Sequence, residues 1–335
     1  MTIKTRILLI FLCGGLFGGL RFISTYQTYT DMSIFPTLTA VAMRKAIRWL
    51  VNTRPFGETK TFLLAVYPSE EPISHGVGHL LGEEVYRHYK NRAFSLCDPL
   101  FNYGCYHGVV DMAIRMAGPD ERLVFELKKS CDEYLTDAGP CIHPLGHASA
   151  IVSSYDVVKA FALCDQMYTD SKVAFSCWNG AMMEYINRSA PNAPQVDYGH
   201  ADDPYFPCNT FPKKYESSCV SMHTSYLKTI WNEDFGRVIR YCQTYASLDT
   251  RTHCVDAIGS IIGQKFFNDP TQAITSCKSA GRDIAWCLNG VNVPYLAAHK
   301  LQDARIVCAA LSERLDREAC ETQILRTSKP LNSRM

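Results

Sequence analysis

The most continuous apolar stretch of the chain lies at its N-terminus. Lys4 and Arg6 precede an apolar run over residues 7–20, and Ile23 extends this run to residue 23 if Arg21 reaches back to water. A membrane-spanning helix needs about 20 apolar residues, whereas the core of a signal peptide needs about 7–15. No small-residue cleavage site follows. The pattern therefore predicts a signal anchor over residues 1–23, with a cleaved signal peptide, a lipid-modified Cys13 and a buried N-terminal helix as alternatives.

Beyond this run, the polar and apolar positions predict an all-α fold. Residues 24–70 are expected to form a linker and an N-terminal helix, residues 71–328 a helical domain, and residues 329–335 a disordered polar tail. Helical stretches such as residues 120–131 alternate with turn residues such as those of 136–140. The basic residues before the apolar run are retained in the cytoplasm, so the bulk of the chain is expected outside it, in the periplasm, at the cell surface or in a secretory lumen.

The number and spacing of the cysteines add a compartment and a set of disulfides to this prediction. The chain has 15 cysteines among 335 residues, which favours an oxidising compartment. Apart from Cys13, they fall into seven close pairs, whose partners are 8 to 13 positions apart in the sequence. Zinc thiolate sites usually use shorter C-x₂₋₄-C spacings, so local disulfides are the preferred interpretation. The predicted pairs are Cys97–Cys105, Cys131–Cys141, Cys164–Cys177, Cys208–Cys219, Cys242–Cys254, Cys277–Cys287 and Cys308–Cys320.

The cysteine pairs recur with a period. Successive first members are 34, 33, 44, 34, 35 and 31 residues apart. The long interval contains a Pro- and Asp-rich insertion at 189–207. A period near 34 residues is typical of helix–turn–helix repeats. The sequence therefore predicts a disulfide-stapled array of helix–turn–helix repeats, an α-solenoid, behind the N-terminal membrane anchor. In repeat length and in the disulfides that join paired helices, residues 90–325 resemble the cysteine-rich Sel1-like and tetratricopeptide solenoids.

Polar residues recur two positions after the second cysteine of each pair. In the later repeats they are expected to cap helices or to pack, as Asn, Asp and Ser do well at helix starts. This column of residues comprises His107, His143, Asn179, Ser221, Asp256 and Asn289.

In the early repeats, further histidine and aspartate residues accompany the polar column. Asp111 and His147 lie four residues beyond the column, and the segment His75–His79 fits the same frame. Residues i and i+4 share one helix face, so three neighbouring helices are expected to present these side chains together. The C-x-H-G and H-x-x-G-H motifs formed here resemble those of uncharacterised exported bacterial proteins, a resemblance that implies no function. The predicted metal ligands are His75, His79, His107, Asp111, His143 and His147.

Imidazole and carboxylate ligands suit zinc, iron or copper. Helical bundles build di-metal sites from paired ligands on neighbouring helices, and the plan resembles that of HEAT-repeat hydroxylases that hold two irons. Glu184 is a further candidate carboxylate. One hypothesis is therefore a metalloprotein, with or without enzymatic activity. The alternative is a non-enzymatic solenoid scaffold whose histidines are architectural and whose concave face binds a protein or peptide.

The net charge and the absence of certain motifs argue against several other functions. The formal net charge is +1, and no basic stripe is present, so nucleic acid is not an expected partner. The sequence contains no Walker loop, no G-x-G-x-x-G and no G-x-S-x-G, so nucleotide-binding and hydrolase-elbow functions find no support.

Overall fold

A computed structural model describes residues 38–68, 73–101, 103–135, 139–187 and 203–328. The described residues are helical and contain no β-strand. The helices, numbered in chain order, are α1 (Ala40–Thr53), α2 (Phe56–Val66), α3 (Ile73–Tyr89), α4 (Gly104–Ala117), α5 (Glu121–Tyr134), α6 (Gly139–Val152), α7 (Val157–Met167), α8 (Ser171–Asn187), α9 (Glu216–Ile230), α10 (Phe235–Gln243), α11 (Leu248–Lys265), α12 (Pro270–Cys277), α13 (Ile284–Ala297), α14 (Leu301–Ala309) and α15 (Arg314–Ser328). Short 3-10 turns at Lys90–Leu96, Pro99–Phe101, Cys208–Thr210, Lys213–Tyr215 and Lys278–Asp283 connect some of them.

The N-terminal expectations fall partly outside this description. The expected anchor over residues 1–23 and the expected tail over 329–335 lie outside the described residues. The region expected to be a linker and one helix contains two helices, α1 and α2. In the part of the chain that the structure describes, none of the helices combines the length and the apolar character needed to cross a bilayer.

Seven disulfides join neighbouring helical segments, in the pairs predicted from the spacing. Their Cα–Cα distances run from 5.4 to 6.4 Å, within the usual range for such bonds. In most pairs the first cysteine lies near the end of one helix and the second lies in the next, as with Cys131 in α5 and Cys141 in α6. Disulfides persist in oxidising compartments, so their number supports an extracytoplasmic environment.

The helices begin earlier than the sequence pattern suggests, so the polar column does not form the caps. Asp170 accepts a hydrogen bond from the Lys172 amide at the start of α8, and Ser247 caps α11. Asn179 and Asp256 therefore lie two turns inside their helices, and Pro144 lies inside α6 rather than in its first turn. The column residues thus do not cap their helices. The other half of the expectation, packing, is confirmed at two of them: Asn179 accepts a hydrogen bond from Ser218, and Asp256 accepts one from Asn289.

Three helix pairs approach so closely that their backbones touch through glycines. A Cβ on Gly108 of α4 would lie 2.0 Å from the His79 carbonyl oxygen of α3. A Cβ on Gly180 of α8 would lie 1.9 Å from the His143 carbonyl oxygen of α6, and the α11–α13 pair repeats the contact between Gly290 and the Asp256 carbonyl. The glycines therefore set the spacing of these helices and fix the position of the residues beside them.

Ion pairs between half-exposed arginines and buried carboxylates hold α1 against α3. Glu84 is buried and accepts two hydrogen bonds of 2.9 Å from Arg48, while the adjacent Glu83 pairs with Arg44. Two carboxylates buried in this way need such partners, because an unpaired buried charge is strongly destabilising. Helix α3, which carries His75 and His79, is therefore packed on one side by α1 and on the other by α4.

Candidate metal centre

Five histidines from three helices meet in one cluster. Their ring centroids are 4.8–5.3 Å apart between neighbours. The members of this histidine cluster are His75 and His79 of α3, His107 of α4, and His143 and His147 of α6. The packing of α4 against both α3 and α6 thus brings together the histidines singled out by the sequence.

The cluster divides into two trios that share His107. In the first trio, His75 and His79 face His107; in the second, His143 and His147 face it. Within each trio the three ring nitrogens lie within 4.8 Å of one another. Three donors converging over such distances leave room for an ion between them, since a zinc–nitrogen bond is about 2.0–2.1 Å long.

Each outer helix presents a matched pair of nitrogens to the centre. The Nε2 atoms of His75 and His79 are 3.1 Å apart, and those of His143 and His147 are 3.2 Å apart. Two nitrogens bound to one tetrahedral ion are separated by about 3.3 Å. The i, i+4 pairs therefore already have nearly the spacing that two ligands of one ion require.

Carboxylates lie behind one histidine of each pair. Asp111 Oδ2 is 3.3 Å from His79 Nδ1, and Glu184 Oε2 is 2.9 Å from His147 Nδ1. Asp111 therefore contacts the outer nitrogen of His79 and belongs to neither trio. Glu184 of α8 is buried, and the Tyr155 hydroxyl donates to its second oxygen over 3.4 Å. A carboxylate on the outer nitrogen fixes the tautomer that leaves Nε2 free to bind a metal.

Burial keeps the central rings neutral. Desolvation, reinforced by the neighbouring histidines, holds the pKa of His107 well below its ordinary value. Desolvation and His147 lower the pKa of His143 to about 3, against the opposing effect of a backbone hydrogen bond with Ser176. Neutral imidazole is the form that binds metals.

The packing register differs by one turn from the sequence frame. The sequence frame aligns His75 with His143. In the structure, the carbonyl of His79 contacts Gly108 and the carbonyl of His143 contacts Gly180, so it is His79 that is equivalent to His143. Relative to these shared contacts, the α3 pair therefore lies one turn nearer the N-terminus of its helix than the α6 pair. Gly146 likewise lets a neighbouring helix approach closely: a Cβ on Gly146 would lie 2.0 Å from the Cys177 carbonyl oxygen.

A cavity of about 400 Å³ opens onto the second trio. Its lining includes the rings of His107 and His143. The other lining residues are Tyr103, Gly139, Pro140, Pro144 and Ser176. Sequence reasoning did not find Tyr103, Tyr155 or the Ser176 backbone, because none of them belongs to a repeated motif.

Comparison with known proteins gives no relative from which a function transfers. The chain matches no protein-family model, no curated protein and no solved structure. The functional argument therefore rests on the chemistry of the histidine cluster.

Proposed function

We propose that this protein is an extracytoplasmic metalloprotein that binds transition-metal ions through the histidine cluster. The observation that carries the proposal is the convergence of two histidine trios on His107, each with ring nitrogens within 4.8 Å of one another. A purely structural ladder of histidines does not require that one ring of each outer pair also be oriented by a carboxylate, as His79 and His147 are.

The donor set defines the class of ion. All five side chains in the trios offer imidazole nitrogen, and the paired cysteines of the described chain are engaged in disulfides. Imidazole suits zinc, copper, iron and nickel, whereas magnesium and calcium prefer oxygen. Zinc, copper or iron is therefore the proposed occupant, with Asp111 and Glu184 orienting the ligands from behind.

Metal analysis of the purified, disulfide-bonded protein tests this function. We expect a stoichiometric transition metal in the wild-type chain and none in His107→Ala, because His107 belongs to both trios. The control is His299→Ala, which changes a histidine remote from the cluster in sequence and on the turn between α13 and α14. Equal metal content in wild type and His107→Ala would contradict the proposal.

The surrounding architecture is part of the same proposal. We infer that the stapled helix pairs form an α-solenoid, which the regular cysteine spacing and the repeated glycine contacts support. We also infer that residues 7–23 attach the chain to a membrane. A reporter active only in the cytosol, fused after Met335, is expected to be inactive.

A second candidate function is recognition of a protein or peptide by this scaffold. A cavity of about 650 Å³ lies between α7, α8, α9 and α11, and its lining includes Tyr168, Phe175 and Trp178. Aromatic rings are favoured at protein recognition sites. A peptide selected against the wild-type chain is expected to lose binding to Phe175→Ser and to keep binding to His107→Ala, which would separate this function from metal binding.

A further inference from the structure

A cavity opens onto one side of the second trio. The 400 Å³ cavity is lined by His107 and His143 of the second trio, while His75 and His79 of the first trio do not line it. An ion in the second trio would have three imidazole ligands, and a tetrahedral ion then keeps one further position. Catalytic metal sites keep such a position for water or substrate.

The lining of the cavity restricts what can enter. The described residues that line it include Pro140, Pro144, Tyr103 and Ser176, and beyond the histidines none of these described residues has a side chain that is charged at neutral pH. Tyr103 and Ser176 provide hydroxyl groups, whereas no lysine or arginine stands among the described lining residues to pair with an anionic group. A charged group placed there without a partner would lose much of its hydration energy.

The charge around the second trio also disfavours an anionic ligand. The Glu184 carboxylate, 2.9 Å from His147 Nδ1, already offsets one charge of a divalent ion. The metal therefore gains less from an anionic ligand than it would in an uncharged shell of imidazoles.

We propose that the second trio is an open metal centre that takes, through this cavity, a small uncharged molecule with one nitrogen or oxygen donor on an apolar body. This inference rests on the proposed metal-binding function. The volume lies within the range of small-molecule sites, which are about 300–1,000 Å³. The donor atom occupies the fourth position of the ion, and the apolar body lies against Pro140, Pro144 and the Tyr103 ring.

Cobalt(II) loaded into the intact protein reports on this position, because its visible absorption changes when a ligand enters its coordination sphere. The probes are 4-methylpyridine, which is uncharged at pH 7.5, and pyridine-4-carboxylate, which has the same donor and a charged tail. We expect a saturable spectral change with 4-methylpyridine and a dissociation constant for the carboxylate that is about tenfold weaker or more.

A matched pair of variants on α8 locates the binding. Ser176→Leu fills the cavity and is expected to weaken 4-methylpyridine about tenfold or more while cobalt content is retained. Ser171→Leu changes an exposed residue of the same helix and should leave binding unchanged.

Three results overturn the open centre: a cobalt spectrum that neither probe alters, equal or tighter binding of the carboxylate, or unaltered binding to Ser176→Leu. A protein that takes up no cobalt or other transition metal removes the proposed function as well, so the two failures are distinguishable. If Ser176→Leu itself loses cobalt, the comparison of the two probes on the wild-type protein still decides the matter.

Discussion

Glu184 Oε2 lies 2.9 Å from Nδ1 of His147, and both side chains are buried. The contact joins α8 to α6 and orients the imidazole so that its Nε2 faces His143, 3.2 Å away. Asp111 stands in the corresponding relation to His79 across α4 and α3. Two independent carboxylate–histidine contacts on the outer sides of one cluster are the arrangement expected around bound metal.

Removing the charge of Glu184 is expected to weaken metal binding without removing a ligand. Glu184→Gln should lower the affinity for zinc about 10- to 100-fold, as changes to such orienting groups typically do. Competition with a chromophoric chelator measures this affinity. Glu318→Gln, which changes an exposed carboxylate on α15, is the control. Unchanged zinc affinity in Glu184→Gln would show that this carboxylate serves packing alone.

The two trios predict two ions in each chain, with His107 bridging them as an imidazolate whose ring proton is released to solvent, because a neutral imidazole can bind only one ion. His75→Ala should therefore lose one equivalent of metal, His143→Ala the other, and His107→Ala both. Zinc titration of the metal-free protein by calorimetry, with inductively coupled plasma analysis, gives the stoichiometry. A single equivalent that is lost in all three variants would instead mean that one ion is shared by the whole cluster.

The glycine contacts predict that two equally destabilising substitutions will differ in their effect on metal binding. Gly180→Ala and Gly290→Ala would each force a methyl group onto a backbone carbonyl, at 1.9 Å in the unrelaxed structure. We expect each to lower the free energy of unfolding by about 1–3 kcal/mol. Only Gly180→Ala should also weaken metal binding, because it displaces His143, whereas Gly290 lies in the α11–α13 pair.

Gly76→Ala is the matched control for this pair of variants. Nothing lies within 4 Å of a Cβ at this helical position, although His75 is adjacent in sequence. Replacement of such a glycine by alanine is expected to raise the free energy of unfolding by about 0.4–1 kcal/mol. Denaturant unfolding of the three variants measures these changes, and equal loss of metal from Gly180→Ala and Gly290→Ala would refute the separation.

His223 predicts an acid-sensitive contribution to stability that is independent of metal. Burial lowers its pKa from 6.5 to about 4, although its Nε2 contacts the Pro204 carbonyl oxygen at 2.9 Å. Because the unfolded chain binds this proton more readily, the folded state loses stability as the pH falls from 6.5 toward 4, by about 3 kcal/mol in total. Above pH 6.5 the contribution is fully present.

His223→Gln removes this titration and keeps a side-chain donor for the Pro204 carbonyl. Unfolding of both metal-free proteins between pH 7.5 and 4 tests the prediction. The wild type should lose stability relative to the variant as the pH falls, while the other histidines titrate alike in both chains. A constant difference between the two proteins over this range would contradict it.

The sequence predicts the parts of this molecule that depend on local spacing. Cysteines 8 to 13 residues apart pair with each other, and the histidine pairs at i, i+4 on α3 and α6 meet in space around His107. The one-turn difference between the α3 and α6 pairs escapes prediction, because it depends on which glycines two helices share. The His143 contact with Ser176 involves the backbone of Ser176, a group that every residue type carries and that no sequence motif marks.

The role of Asp111 also depends on packing. Its position four residues after His107 is equally compatible with metal ligation and with contact to a neighbouring ring. The structure places its carboxylate against Nδ1 of His79 rather than within either trio. Glu184 is a candidate on sequence grounds as well, but its pairing with His147 across 37 residues follows only from the close approach of α6 and α8.

X-ray absorption spectroscopy at the edge of the metal that co-purifies with the disulfide-bonded protein is the decisive test of metal binding by the histidine cluster. We expect a stoichiometric transition metal with nitrogen or oxygen donors at about 2.0–2.1 Å and the outer scattering of imidazole rings, which is lost in His107→Ala. Sulfur donors at about 2.3 Å, or the absence of any stoichiometric metal from both the purified and the metal-reconstituted protein, would contradict it.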